Sequence, residues 1–146
     1  MNQADRAIWK FLLKEKRFFR FGEIKNSMNL HDNRVNTSLK RLEKDGLLVR
    51  EISTFKRKPI STYLGIDPRD PKLEVNIVNM GGNQFCAVIK WLDNKGSPIT
   101  SVGINLGDLG EYARSDREGL LYLEFPKWIS NLTKIGKIRW KGEAQP

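Results

Sequence analysis

The chain has 146 residues, 39% of them hydrophobic and 29% charged, with 26 Lys and Arg against 17 Asp and Glu. That is enough for one large domain or two small ones, and the balance excludes wholesale disorder. The formal charge of +9 is unevenly spread, with 15 basic and 7 acidic residues in 1–66 but 11 and 10 in 67–146. A cationic front half beside a near-neutral back half points to a polyanion-binding module joined to something else.

Other classes fall away on inspection. No apolar run is long enough to span a bilayer, and charges interrupt the apolar part of residues 1–20, so neither a membrane span nor a signal peptide is expected. The single cysteine, Cys86, forms no internal disulfide, which fits a cytoplasmic setting. One Cys and one His (His31) are too few for a structural zinc site, and no nucleophile elbow surrounds any serine. Gly103, Gly107 and Gly110 lack the Lys-Ser/Thr of a phosphate loop. Neither catalytic residues nor a cofactor nor a metal is expected.

In chain order, residues 4–17 read as a helix, with Ile8, Phe11 and Leu12 at three-and-four spacing facing a core. Trp9 and Leu13 add a second apolar stripe. It is either a widening of the core face, a dimer contact or a seat for the C-terminal domain. A short helix over 21–28 carries Ile24 and Met28 on one side. After the break at residues 29–32, a third helix runs over 33–45, capped by Asp32 or by His31. Val35, Leu39 and Leu42 form its inward stripe, and Gly46 supplies the left-handed stop. Strands over 47–55 and 60–66 flank a basic hairpin tip, Lys56-Arg57-Lys58-Pro59.

Residues 67–72 contain two prolines and read as a linker. From residue 73 the pattern turns to short alternating runs over 73–80, 85–92, 99–106, 120–125 and 135–140, separated by Gly- and Asn-rich turns. This spacing predicts a small antiparallel β-sandwich over 73–146. Cys86, Trp91, Trp128 and Trp140 are expected in its core. The loop acids Asp93, Asp108, Glu111, Asp116 and Glu118 have no cation-loop spacing.

The order of elements in 1–66 is that of a winged helix-turn-helix. Phe21-Gly22-Glu23-Ile24, Asn29-Leu30, Val35, the helix ending Leu39-Lys40-Arg41-Leu42-Glu43-Lys44-Asp45-Gly46-Leu47-Leu48 and the returning Tyr63-Leu64-Gly65 carry a family likeness. Together they resemble winged-helix regulators of the multiple-antibiotic-resistance and arsenic-repressor superfamily, across residues 4–66. The runs Trp91–Ile99 and Ser115–Leu123, with Pro126, resemble transthyretin-like and carboxypeptidase-regulatory-like β-sandwiches over 84–126. The second likeness implies scaffolding or ligand contact rather than catalysis.

These readings converge on an α+β chain in two domains, acting as a sequence-specific regulator of transcription on double-stranded DNA. The major groove admits one helix, so the third helix would enter it with Asn33, Arg34, Asn36, Thr37, Lys40 and Arg41 outward. Arg34 suits a guanine edge, and Asn33 or Asn36 an adenine. Lys40 and Arg41 suit phosphates. Lys56, Arg57 and Lys58 suit a phosphate or minor-groove contact, with Arg17 and Arg20 adding backbone contacts. A homodimer is expected, because one such module reads only a half-site. The β-domain would then serve dimerisation, a protein partner or a small-molecule effector. A binder without sequence preference and a protein-protein adaptor are the competing readings.

Overall fold

A computed structural model describes residues 1–141. The chain is a mixed α and β protein that divides into two compact units, Met1–Arg69 and Asp70–Pro146. The division falls within the proline-bearing stretch 67–72. There the Asp67 and Asp70 carboxylates accept the backbone N–H groups of Arg69 and Lys72 at 3.0 and 2.9 Å. No helix among the described residues is long and apolar enough to cross a membrane.

The first unit opens with helix α1 (Gln3–Leu13), capped by the Asn2 side chain, which accepts the Asp5 N–H at 2.8 Å. The helix ends earlier than its apolar spacing predicts. Phe19 is drawn into the core and pairs opposite Tyr63, so the chain must leave the helix before it. That pairing makes strand β1 (Phe19–Arg20), which leads directly into α2 (Phe21–Met28). Asn29, left-handed at φ 53°, ends α2 and turns the chain toward α3 (Asp32–Lys44). His31, not Asp32, caps α3, its Nδ1 accepting the Asn33 N–H at 3.2 Å.

The end of α3 is a two-bond cap. The Leu47 N–H reaches the Leu42 carbonyl at 2.9 Å and the Gly46 N–H reaches that of Glu43 at 3.0 Å, with Gly46 at φ 76°. This closure satisfies carbonyls that would otherwise be orphaned. The chain then forms strands β2 (Leu48–Phe55) and β3 (Lys58–Gly65), giving a three-stranded sheet in the order β1-β3-β2.

Ile8, Leu12, Ile24, Val35, Leu39, Leu42 and Leu48 fill one core with Trp9, Phe19 and Tyr63. Trp9 and its stripe are therefore covered within their own unit. The Trp9 indole N–H donates to the carbonyls of Leu47 and Ile66, both at 3.1 Å, tying α1 to both ends of the hairpin. A β-carbon on Gly65 would lie 2.8 Å from Leu12 Cβ. Only glycine lets β3 pass this close to α1.

In the second unit, β4 (Leu73–Gly81), β5 (Gln84–Leu92) and β6 (Pro98–Asp108) form an antiparallel meander. A short 3-10 turn, Leu109–Tyr112, leads to a separate two-stranded ribbon, β7 (Ala113–Ser115) and β8 (Leu121–Leu123). Helix α4 (Lys127–Lys134) and strand β9 (Ile138–Lys141) follow, and β9 joins the far edge of the sheet parallel to β4.

The wholly antiparallel sandwich expected from the strand spacing is thus replaced, among the described residues, by one mixed four-stranded sheet, a ribbon and a helix. The cause is α4. Its buried Trp128, Ile129 and Leu132 follow helical spacing, and the helix packs beside β9. A connection through a helix allows the next strand to enter parallel. Leu73, Val75, Ile77, Ala87, Ile89 and Trp91 alternate along β4 and β5 as the buried face of this sheet. Cys86, expected in the core, is only half-buried, and Trp140 lies with its side chain outside the described residues.

Candidate nucleic-acid interface

Helix α3 turns about 100° per residue, so its inward stripe leaves a broad outer face. Val35, Ser38, Leu39 and Leu42 are buried, whereas Asn33, Arg34, Asn36, Thr37, Lys40 and Arg41 are exposed. Thr37 donates its hydroxyl to the Asn33 carbonyl at 2.7 Å, which binds that side chain back onto its own helix.

The outer face is not uniform. Asn36 and Lys40 border a trough between α3 and the β2–β3 hairpin. It is made of two adjoining concavities of about 380 and 310 Å³ that share Asn36, Ser61 and Tyr63. Arg20, Phe21 and Gly22 close one end, and Glu43 and Arg50 line the other. Asn33 and Thr37 lie further round the same face. Arg34 stands almost opposite Asn36 on the helix wheel, and borders a different hollow with Ala4, Ala7, Met28 and Leu30.

Arg41 shares the Arg34 flank and has a partner there. Its guanidinium donates two hydrogen bonds to the Asp5 carboxylate, at 2.8 and 3.0 Å, and Asp5 is only 3% exposed. The Arg41 hydrogen bond holds the Asp5 carboxyl below the usual carboxylate range against the opposing effect of burial, and Ser38 adds to it. A paired, hydrogen-bonded buried acid keeps α1 against α3. Arg41 is thus committed to the scaffold rather than left for phosphate.

Arg17 is likewise spent. It pairs with Glu15 and Glu23, and the second contact measures 2.8 Å. Arg17 and the Arg20 backbone N–H together push the Glu23 carboxyl down to about 2. Lys25 pairs with Asp32 at 2.7 Å and Arg50 with Glu43 at 3.1 Å. By contrast Arg34, Lys40, Lys56, Arg57 and Lys58 have no ion-pair partner among the described residues. Like-charged groups left without acids, on one helix and one hairpin tip, make a local positive field.

The tip is tighter than its sequence predicts. Lys58 and Pro59 belong to β3, opposite Phe55 and Thr54, so the turn proper is Lys56-Arg57. Both residues are left-handed, at φ 50° and 65°. A two-residue hairpin of this kind favours Asn-Gly, and long L side chains there cost roughly 1 kcal/mol each. Strain of this kind tends to gather at functional sites. Two further tip features were not legible in sequence: Phe55 is exposed there, and Arg20 reaches its ring from β1. A pairing across 35 positions leaves no local signal.

No family model and no curated protein matches the chain.

Proposed function

We propose that the first unit is a winged helix-turn-helix that binds double-stranded DNA, and that the chain is a cytoplasmic, dimeric regulator of transcription. Helix α3 is the groove-entering element and the β2–β3 hairpin is the wing. The observation that carries this reading is the set of cations without acid partners on α3, where Lys40 lines the trough, and at the hairpin tip, Lys56, Arg57 and Lys58. Arg17, Arg20, Lys25, Arg41 and Arg50 of the same unit are matched with acids.

Asn33, Asn36 and Thr37 are the base-edge candidates nearest the trough. An Asn can donate to and accept from an adenine edge at once. Lys40, Lys56, Arg57 and Lys58 neutralise phosphates, which supplies most of the affinity and fixes register. Arg34 contacts the backbone from the flank, and Arg41 contributes by holding α3 in place. The second unit serves dimerisation, a protein partner or a small-molecule effector.

The test is selection of bound fragments from random duplex DNA, followed by titration of the selected and random sequences at two salt concentrations. A regulator prefers its selected site by about a thousandfold or more. Equal affinity for both pools, with a steep salt dependence, would make the protein a binder without sequence preference. Absence of salt-dependent binding to either pool would leave an adaptor.

A further inference from the structure

The hairpin tip carries a side chain that phosphate neutralisation does not require. Phe55, the last residue of β2, is 42% exposed and lies outside the core of its unit. The Arg20 guanidinium lies 4.7 Å from its ring centroid, and the Lys56 ammonium 5.4 Å. Lys58 faces it across the hairpin. An exposed aromatic residue alone means little. Here it sits immediately before a turn whose two basic residues adopt a backbone conformation that Asn-Gly would adopt with less strain.

A ring ringed by cations at a projecting tip matches one ligand chemistry. A nucleobase offers a flat face for the ring, and its flanking phosphates offer anions for the cations. Apolar side chains placed this way also wedge into duplex steps that are already easily unstacked.

We propose that Phe55 is a base-stacking residue, and that the wing tip favours DNA containing an unstacked base over intact duplex. Lys56, Arg57 and Lys58 hold the phosphates on either side of that base, while Arg20, paired with Glu23 at 3.4 Å, backs the ring. This rests on the DNA-binding reading above, and gives it a structural preference that base contacts from α3 do not supply.

The experiment measures the full chain against two labelled duplexes of identical sequence, one carrying a single unpaired adenine. The readout is the ratio of the two affinities, which is insensitive to the active fraction of each preparation. The wild type binds the bulged duplex about tenfold more tightly, as stacking of one base implies. Phe55→Ala and Phe55→Leu bring the ratio near one, and Phe55→Trp keeps it. A wild-type ratio near one, or a ratio that survives in Phe55→Ala or Phe55→Leu, overturns the proposal while leaving salt-dependent duplex binding intact. Loss of salt-dependent binding to both duplexes overturns the DNA-binding reading itself.

Discussion

The units Met1–Arg69 and Asp70–Pro146 are similar in length but put charge and apolar surface to different use. The first gathers most of its apolar residues into one core, leaves Ile52 and Phe55 of the hairpin exposed, and presents a polar, cationic helix face to water. The second balances its charges and buries the inner face of a sheet, yet leaves Leu120, Leu121, Tyr122 and Leu123 of its ribbon exposed. Surplus cations without matching acids select polyanions. Exposed apolar groups on a small ribbon, marginally stable alone, need a different kind of neighbour. The difference teaches that the two halves offer different surfaces, with the cationic surplus confined to the first.

The largest effect should come from replacing Lys56, Arg57 and Lys58 together with Ala. Each lost phosphate contact lowers the slope of log affinity against log salt by about 0.9, so the triple variant should lose roughly 2 to 3 units of slope. Replacing Lys72, Lys90 and Lys95 of the second unit should leave the slope unchanged. Equal losses in both triple variants, read from titrations across salt, would erase the contrast between the units.

Gly65→Ala should destabilise the first unit by about 1–3 kcal/mol, the usual cost of overpacking, because the new methyl meets Leu12. Denaturant unfolding checks it. On α3, Asn36→Ala should cost about 1–3 kcal/mol at a selected site and relax choice at one base. Arg34→Ala should change specificity less, and Arg41→Ala should lower stability rather than site preference. Footprints of the three variants beside their unfolding midpoints would rank them.

Lys56→Asn with Arg57→Gly should relieve turn strain and raise stability by about 1 kcal/mol while flattening the salt dependence. A turn that is both more stable and equally salt-sensitive would break the link between strain and binding.

The smallest effect concerns pH. Glu23 is held down to about 2 from an ordinary 4.5, so its contribution is present above about pH 4.5 and is lost as pH falls toward 2. Glu23→Gln should flatten that part of the acid limb, by under about 1 kcal/mol because the partners are partly exposed.

Much of this was legible in the residues. The inward stripe Val35, Leu39 and Leu42, the Gly46 stop and the hairpin strands follow from periods that each segment carries within itself. Helix α4 was missed because it is only eight residues long and follows a proline, although Trp128-Ile129 and Leu132 with Gly136 at φ 74° spelled a short capped helix. The parallel entry of β9 depended on that helix.

Composition and periodicity alone determined the cationic front half, the helix and strand order of residues 1–66 and the polar face of α3, because charge and amphipathic spacing are local properties. Tertiary structure decided which cations remain free. Arg41 meets Asp5 from 36 residues away, Arg20 reaches Phe55 through β1, and Arg34 turns to the flank while Asn36 borders the trough. Those outcomes depend on how separate elements approach one another, which no local pattern encodes.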